Sequence, residues 1–397
     1  MASPSTPSSA PKNNSANAAK RSYKVKEHQL YVARPKLWNT LRRLHTVDKP
    51  YRRRSFFISR FVTITTFFQW LQRAIYGRKA RKISFENNPP IFILGHWRSG
   101  TTHLHYAFSR DPRLGYLSNF QTFLYTVALL SKTWLRPVVS RFMPETRPQD
   151  NVKVDADAPA EEEQPLSMVS LCTGIHSFFF GRETAYFEKY TLFQGISAEE
   201  KAGWQEDYNH VLQQIALYNG TNDLVLKNPW NTPRVQELLE LYPEAKFVFI
   251  HRNPYDVFLS TRHLMRKMIS SQYLQFISMR EEEDRVIEWG KAIYERYIAQ
   301  RSMIPEGNLV EVRFDIFEQN GYTEMERIYK ELNLPRWGDA KGPIADYFES
   351  VKGYKKNRFR KLRPDLEERI KKEWKTIFDT WSYSTDLNEK KENYGRY

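Results

Sequence analysis

Residues 95–100, which read GHWRSG, have the residue types and spacing of an anion site. They follow the apolar run PIFIL and lead into the helix-like segment TTHLH. Glycines at both ends allow the backbone to turn tightly and to approach a ligand closely. Backbone N–H groups of residues 98–102, at the start of a helix, would form a positive nest for a phosphate-like group. Thr101 stands where an ATP- or GTP-binding loop carries its lysine, which disfavours a kinase site.

Three more polar or basic residues follow other predicted strands. Arg252 comes directly after the apolar run KFVFIH, and Ser260 lies eight residues later, about two helical turns. A helix opened by Pro254 would place the guanidinium and the hydroxyl on one side. Lys227 follows the apolar run DLVL. Because ligands of parallel α/β sheets bind beyond the carboxyl ends of the strands, we expect these groups to line one crevice.

A reaction at a hydroxyl also needs a proton acceptor, and the acidic run DAPAEEEQPL can supply one. Glu161 and Glu163 are the predicted bases, because alternate residues of an extended segment share a direction and neighbouring carboxylates raise each other's pKa. A solvated acidic surface is the alternative. His96, His103 and His105 are either further bases or packed helix residues. His176 is a candidate for lining the acceptor site, and His251 is predicted to pack in the core or against the donor. No second ligand pattern accompanies them, so no metal is predicted.

These motifs resemble those of sulfotransferases that use 3′-phosphoadenosine 5′-phosphosulfate (PAPS). GHWRSGTTHLH resembles the 5′-phosphosulfate loop of a divergent branch, Gly-x-x-Arg-Ser-Gly-Thr-Thr, which is shared with protein-tyrosine sulfotransferases. FVFIHRNPYDVFLSTRHL is similar to the 3′-phosphate site of the family, and LVLKNPWNTPRV is similar to its Lys-x-Pro element. VKGYKKNRFRKLRP resembles the C-terminal loop that covers the donor nucleotide. The resemblance extends over about residues 90–365.

The resemblance implies that a sulfuryl group passes from PAPS, the co-substrate, to a hydroxyl of an acceptor without a metal. Arg98 and Lys227 would neutralise charge that grows on the leaving phosphate, as magnesium does in kinases. The implied donor-binding residues are Arg98, Ser99, Gly100, Thr101, Thr102, Arg252, Ser260, Tyr354 and Lys355.

The resemblance also bears on the base. In protein-tyrosine sulfotransferases the base is a glutamate shortly after the loop helix, and by register Asn119 stands at that position. An asparagine side chain cannot take the proton, so a tyrosine within a protein is a disfavoured acceptor. The run that holds Glu161 and Glu163 resembles the acidic Glu-Asp-Glu element of the wider sulfotransferase branch, and it is the predicted replacement.

Composition narrows the setting and the partners. A chain of 397 residues with 41% apolar content can bury a large core. The single cysteine, Cys172, excludes an internal disulfide and favours a reducing, cytoplasmic setting. Residues 1–82 hold 19 Lys and Arg against two acidic residues, a net charge of +17, so the rest of the chain is nearly neutral. A nucleic-acid partner is therefore disfavoured, because it requires a basic stripe on the folded domain.

After residue 88 the chain alternates between strand-like and helix-like segments. The apolar runs 90–94, 223–226, 246–250 and 309–314 are the predicted strands, and 101–110, 199–218, 233–241, 255–269 and 283–303 are the predicted helices. This order predicts an α/β fold with a parallel sheet flanked by helices. The resemblance specifies the P-loop nucleoside-kinase-like sulfotransferase type. The predicted divisions are a disordered tail (1–20), a basic arm (21–84), a catalytic domain (85–380) and a C-terminal tail (381–397).

The basic arm contains one helix-like pattern of apolar residues three and four apart: Phe57, Phe61, Ile64, Phe68, Leu71 and Ile75. Three interpretations stay open for this face. It packs on the catalytic body, it lies on an anionic membrane surface bound through residues 21–82, or it spans a membrane. The uncharged run 61–72 is shorter than the ~20 residues that a span needs. A cytoplasmic protein, peripheral on a membrane under the second interpretation, is the expected localisation.

Two aromatic segments, 116–146 and 176–190, are either core helices or the walls of an apolar acceptor cleft. The second interpretation suits a hydrophobic small molecule, a lipid or a sterol. Two functions compete with sulfuryl transfer. One is a kinase-like or hydrolytic nucleotide enzyme, and the other is a non-catalytic, membrane-associated nucleotide-binding module.

Overall fold

A parallel sheet of four strands positions the predicted motifs. The computed structural model describes residues 28–142, 155–353 and 362–387. In these residues the strands are β1 (Ile91–Leu94), β2 (Val225–Lys227), β3 (Lys246–His251) and β4 (Leu309–Arg313). Their order in the sheet is β2-β1-β3-β4, and all neighbours are parallel. Each strand matches a predicted run to within two residues, and the predicted fold class is confirmed.

Alternate side chains of the strands enter two hydrophobic cores, one on each face of the sheet. Phe92 and Phe247 belong to the larger core, whereas Ile93 and Val248 belong to the smaller one. A parallel sheet covered on both faces needs apolar residues at nearly every position, because both sides of each strand are buried. This requirement explains why the central strands β1 and β3 appear in the sequence as continuous apolar runs, whereas the edge strand β4 alternates between buried and partly exposed residues.

The helices cover both faces of the sheet and form the N-terminal region. Their bounds are α1 Pro35–Leu44, α2 Arg52–Arg81, α3 Thr101–Phe108, α4 Asn119–Leu124, α5 Ala128–Ser131, α6 Leu135–Phe142, α7 Glu163–Val169, α8 His176–Phe179, α9 Thr184–Leu192, α10 Ala198–Asn219, α11 Val235–Leu241, α12 Pro254–Lys267, α13 Met279–Gln300, α14 Phe314–Gln319, α15 Gly321–Glu331, α16 Trp337–Ser350, α17 Pro364–Glu373 and α18 Lys375–Thr380. Short 3₁₀ turns lie at Gln29–Val32, Lys49–Tyr51, Gly181–Glu183, Pro229–Asn231, Ile269–Gln272 and Arg301–Met303. The five helices predicted after residue 88 are α3, α10, α11, α12 and α13.

The N-terminal arm is part of the main body from residue 28 onward. Trp38 and Ile58 are buried in the same core as the sheet residue Phe92. Helix α2 also contacts α10, where Gln72 donates a hydrogen bond to the side-chain oxygen of Gln214 (3.3 Å). The division at residue 84 therefore separates segments that share one core. Residues 1–20, predicted to be disordered, lie outside the described residues.

The apolar face predicted for α2 is largely exposed, although its Phe61 ring stacks on Tyr31. Ile64 is 58% exposed and Ile75 is 44% exposed, whereas Ile58 and Val62 face the core. The helix thus has apolar residues on both sides. The pattern predicted from the sequence is the exposed side, and the buried side was not predicted. Across the residues described, no helix combines the length and the apolar content needed to cross a membrane.

The C-terminal boundary predicted at residue 380 was placed too early. Trp381 and Tyr383 are both buried. The Trp381 ring lies 5.0 Å from the His251 ring, centroid to centroid, and the Tyr383 hydroxyl lies 2.9 Å from Nδ1 of that histidine. These residues close the core over the end of β3. The predicted tail residues 388–397 lie outside the described part of the chain.

We expect Trp381→Ala to lower the free energy of unfolding by about 3–5 kcal/mol, because it removes a buried aromatic side chain. The matched control is Trp134→Ala, which removes a side chain that is 61% exposed and should change stability by no more than about 0.5 kcal/mol. Denaturant unfolding of both variants measures the difference. Equal stabilities would show that residues from 381 onward are indeed a tail.

Candidate active site

Residues 95–100, the anion loop, follow β1 directly and adopt a backbone that two glycines make possible. The φ angles are 143° at Gly95, 70° at Arg98 and 108° at Gly100. A Cβ atom at Gly95 would collide with the backbone oxygen of Ile250, and one at Gly100 would collide with the ring of Phe314. The loop therefore lies against β3 and against the start of α14, where no other residue type fits without displacement.

Hydroxyl groups fasten the anion loop to neighbouring elements. The Thr232 hydroxyl accepts a hydrogen bond from the Gly95 N–H (2.9 Å) and donates one to the Gly95 carbonyl (3.1 Å). Thr261 on α12 donates to the carbonyl of Trp97 (3.2 Å). Inside the loop, the Ser99 hydroxyl and N–H both point to the carbonyl of His96. Both Ser99 donors thus stabilise the loop, and the contact of Ser99 with the donor nucleotide stays a prediction.

The first turn of α3 provides backbone donors for an anion. Gly100 caps this helix in the left-handed conformation, without a side-chain hydrogen bond, and the first turn holds no acidic residue. The leading N–H groups of a helix have no acceptor within it, and the helix dipole adds positive potential there. Thr101 and Thr102 occupy this turn, as predicted, and Thr101 is buried.

Arg98, Arg252 and Ser260 meet beside the anion loop. Nε of Arg98 donates a hydrogen bond to the Ser260 hydroxyl (2.8 Å), and Nη1 of Arg252 donates to the Arg98 carbonyl (3.4 Å). The Arg252 guanidinium lies 4.5 Å from the centroid of the Phe314 ring, and Nη2 is 3.6 Å from Oδ2 of Asp256. The sequence placed these three residues in two separate motifs, and the structure brings them into one cationic cluster.

Lys227 and Glu161 form an ion pair at the same edge of the sheet. Lys227 is the last residue of β2 and lies in register with Ile93 of β1. Its ammonium group contacts Oε1 of Glu161. The lysine side chain is almost fully buried, whereas the Glu161 carboxylate is 21% exposed. The pair thus presents one carboxylate to solvent next to the carboxyl ends of the strands.

Glu163 occupies a different environment and does not fit the predicted role of a base. Its carboxylate receives two hydrogen bonds from the Arg234 guanidinium, at 2.8 and 3.0 Å. Asn228 and Thr173 donate to the same two oxygens, and both charged side chains are fully buried. The oxygens are already occupied by donors and have no access to solvent. Glu163 is a structural residue, because a buried carboxylate needs its charge paired.

Glu162, between the two predicted bases, is also buried. Its Oε1 accepts hydrogen bonds from the Tyr208 hydroxyl (2.9 Å) and the Asn231 amide (2.8 Å). Burial, the main cause, raises the pKa of Glu162 to about 7. Helix α7 begins at Glu163, so the three acidic residues are not extended and point in three directions. Of the three, Glu161 alone is accessible.

Four of the five candidate histidines are buried in the interior, and the fifth, His103, is partly exposed. Burial, the main cause, lowers the pKa of four of them to about 4: His96, His103, His176 and His251. Burial also lowers the pKa of His105, and the nearby Lys227 charge lowers it further. These rings match the interpretation as core residues. Within the described ranges, no group of three His, Cys, Asp or Glu side chains could hold a metal ion.

The segment before Glu161 runs beside the position of Asn119. The Ala160 N–H donates to the Leu117 carbonyl (2.8 Å), and the Asn119 N–H donates to the Ala158 carbonyl (2.9 Å). The Asn119 side-chain amide also donates to the Asp155 carbonyl (2.9 Å). Asn119, which corresponds by register to the glutamate of protein-tyrosine sulfotransferases, is therefore close in space to the acidic run. The two are about 40 residues apart in the chain, so the sequence did not reveal that they are neighbours.

The aromatic segment 176–190 is core, since Phe179, Phe180 and Phe187 are buried in the larger cluster. Segment 116–146 is divided, with buried residues such as Phe120 and exposed ones such as Phe123. Tyr354 and Lys355 lie outside the described residues. Sequence reasoning missed four residues that hold the site together: Thr232, Arg234, Thr261 and Phe314. The sequence offered one indication of these four residues, which is that they lie directly after a strand or within a predicted motif.

Comparison with known proteins agrees with this geometry. Residues 89–339 match the model of the Sulfotransferase family. The omega-hydroxy-beta-dihydromenaquinone-9 sulfotransferase Stf3 of Mycobacterium bovis, and that of Mycobacterium tuberculosis, are 26% identical to this chain over 318 residues, which are 80% of this chain and 81% of theirs.

Two solved structures have the same fold. Sulfotransferase STF9 from Mycobacterium avium aligns with a TM-score of 0.62 at 17% identity, covering 92% of this chain and 95% of that chain. Sulfotransferase STF1 from Mycobacterium tuberculosis aligns with a TM-score of 0.60 at 16% identity, covering 92% of this chain and 98% of that chain. The predicted P-loop-like sulfotransferase fold is therefore confirmed.

We expect Glu163→Gln to lower the free energy of unfolding by about 3–5 kcal/mol, since Arg234 would keep a buried charge without its partner. The control is Asp157→Asn, which breaks an exposed ion pair with Arg136 in the same acidic segment and should cost no more than about 1 kcal/mol. Denaturant unfolding measures both values. Wild-type stability in Glu163→Gln together with lost turnover would instead restore Glu163 as the base.

Proposed function

Because this chain belongs to the sulfotransferase family, we propose that it transfers the sulfuryl group of PAPS to the hydroxyl of a hydrophobic small molecule or lipid. The observation that carries the proposal is the cluster of Arg98, Arg252 and Ser260 beside the anion loop. PAPS carries a phosphosulfate at its 5′ position and a phosphate at its 3′ position. A protein that binds it needs a cationic group for each of these two ends, with the two groups close together. A nucleotide phosphate loop of the kinase type is not favoured, since Thr101 replaces its lysine.

The residues present fit the two anionic ends of PAPS. The first turn of α3, which has no side-chain cap, suits the 5′-phosphosulfate, because the leading N–H groups of a helix have no acceptor within it. The guanidinium of Arg252 and the hydroxyl of Ser260 suit the 3′-phosphate. Arg98 touches both groups and links the two halves of the site. Tyr354 and Lys355 keep their proposed role in covering the nucleotide.

The proposed reaction is a single displacement at sulfur. The acceptor oxygen forms a bond to sulfur while the bond from sulfur to the bridging phosphate oxygen breaks, and its electron pair stays on that oxygen. The products are a sulfate ester and 3′-phosphoadenosine 5′-phosphate (PAP), and nothing is oxidised or reduced. Arg98 and Lys227 would stabilise the charge that develops on the leaving oxygen, in a fixed site that needs no metal.

Glu161 is the proposed base that takes the acceptor proton. It is the accessible one of the three adjacent glutamates, and it lies beside the segment of Asn119, the position that corresponds by register to the glutamate base of protein-tyrosine sulfotransferases. The ion pair with the Lys227 ammonium holds the carboxylate in one direction. On this assignment, Lys227 serves both the donor and the base.

Two observations support a hydrophobic acceptor. The mycobacterial relatives are named for a menaquinone that carries an omega-hydroxyl group. In this chain, the segment that runs beside the acidic run continues into helices with exposed large apolar side chains, Phe123, Trp134 and Val138. We therefore propose an isoprenoid or other lipid alcohol as the acceptor class.

We expect Arg252→Ala to weaken PAP binding by about 10- to 100-fold, the loss typical of a hydrogen bond to a charged group. Isothermal titration calorimetry without added metal measures the affinity for PAP and for ATP. The matched control is Lys267→Ala, which removes an exposed cation from the end of the same helix and should leave the affinity unchanged. Binding of ATP but not of PAP would contradict the proposed function.

We expect Glu161→Gln to lower kcat by about 10²- to 10⁴-fold, because the acceptor proton loses its base. Transfer of labelled sulfate from PAPS to a hydroxylated isoprenoid quinone measures the rate. Calorimetry with PAP serves as the check on folding, since donor affinity should survive. Glu206→Gln, at an exposed position of α10, is the control for the loss of one carboxylate. Full activity in Glu161→Gln would exclude it as the base.

A further inference from the structure

Helix α2 presents a continuous apolar surface to solvent. Seven large apolar side chains on it are 42–62% exposed: Phe56, Phe61, Ile64, Phe67, Phe68, Trp70 and Ile75. We name this set the aromatic face. Soluble proteins rarely leave a contiguous apolar patch of this size uncovered, and such patches commonly mark interaction sites.

The opposite side of α2 already accounts for its attachment to the protein. Ile58, Val62 and Ala80 are buried against the body, and Gln72 bonds to the Tyr125 carbonyl and to the Leu129 N–H. Within the aromatic face, the Phe61 ring stacks on Tyr31 of the body (4.5 Å between centroids), and it still remains 42% exposed. The phenylalanine and tryptophan side chains of this face need a second surface to bury them.

The charges on α2 indicate what that surface is. The helix has eight Lys and Arg residues and no Asp or Glu. Seven of the cations are exposed, and they lie mainly toward the two ends: Arg52, Arg53, Arg60, Arg73, Arg78, Lys79 and Arg81. Residues 61–72 between them carry no charge. An apolar face with aromatic residues and flanking cations is the pattern of helices that lie in the interface of an anionic bilayer.

The charge also disfavours a second copy of this chain as the covering surface. Residues 1–82 carry a net charge of +17. Pairing two aromatic faces would bring two such segments together, with like charges opposed and few carboxylates to balance them. A surface rich in anionic phosphate groups meets the same cations with favourable electrostatics.

Neighbouring segments carry further exposed apolar residues. Ahead of α2, Asp48 accepts a hydrogen bond from the N–H of Phe276 (2.8 Å), a residue that is itself exposed. Beside α2, the segment bonded to Gln72 continues to Trp134, which is also exposed. That segment follows residues 117–119, which pair with the chain just before Glu161. The aromatic face is thus connected to the candidate active site by contiguous chain.

We propose that the aromatic face docks the protein on an anionic lipid bilayer, with α2 lying parallel to the membrane plane. The Phe and Trp side chains enter the boundary between headgroups and acyl chains, and the arginines contact the phosphates. This docking does not depend on the proposed function. Its consequence, that the site receives an acceptor dissolved in the bilayer, rests on the proposed function.

Vesicle co-sedimentation tests the docking. The full-length protein should bind vesicles made of equal parts of phosphatidylglycerol and phosphatidylcholine, and it should bind pure phosphatidylcholine vesicles far more weakly. The double substitution Phe67→Ser with Trp70→Ser should lower the partition constant by at least about tenfold, given the transfer free energy of buried aromatic side chains. Replacing Arg53, Arg60 and Arg78 by Gln should lower it by about fivefold for each cation.

Two controls distinguish docking through the aromatic face from general surface hydrophobicity and from damage to the donor site. Met303→Ser removes another exposed apolar side chain, outside α2, and should leave vesicle binding unchanged. Calorimetry with PAP should give the same affinity in the Phe67/Trp70 variant as in wild type, so failure of the donor site is measured independently of the membrane.

The proposal fails if wild type and the Phe67/Trp70 variant bind anionic vesicles equally, or if neither binds. Light scattering after size exclusion tests the competing occupant. The docking is overturned if wild type forms a dimer and does not bind vesicles, and if the same double substitution dissociates that dimer. The aromatic face would then be assigned to contact with a second copy of this chain.

Discussion

The close approach of the backbone at Gly95 and Gly100 is the constraint on which the candidate site depends. At these two positions the anion loop lies against β3 and against Phe314 at the start of α14, with no space for a Cβ atom. Phe314 in turn lies under the guanidinium of Arg252, which reaches the carbonyl of Arg98. One tight loop therefore aligns groups that follow β1, β3 and β4, because parallel strands end at a common edge.

The acidic run shows how burial divides one motif into separate roles. Glu161 pairs with Lys227 and stays accessible, Glu162 is buried with a raised pKa, and Glu163 is held by Arg234. A fully paired carboxylate stabilises the interior but has no lone pair for a substrate proton. With Glu161 as the proposed base, chemistry and stability fall to neighbouring residues whose types are identical and whose surroundings differ.

Burial also divides helix α2 into two sides with different roles. It anchors to the body through Ile58 and Val62, and it leaves Phe67 and Trp70 exposed in an uncharged stretch that is flanked by cations. The proposed hydrophobic acceptor would enter the site from a membrane or from a carrier, since water dissolves little of such a compound. The segment bonded to Gln72 therefore connects the aromatic face of the N-terminal arm to the candidate active site at the carboxyl ends of the strands.

The sequence by itself determined the positions of the strands along the chain, the anion loop and the two residues, Arg252 and Ser260, of the second motif. These features depend on local spacing, such as apolar runs, glycine positions and the helical repeat. Only the tertiary structure decided which glutamate is accessible, which side of α2 is covered, and that Trp381 belongs to the core. The partner of Glu163 is 71 residues away in the chain. Burial depends on which surfaces meet, and the spacing of residues along one segment does not specify the surface that it meets.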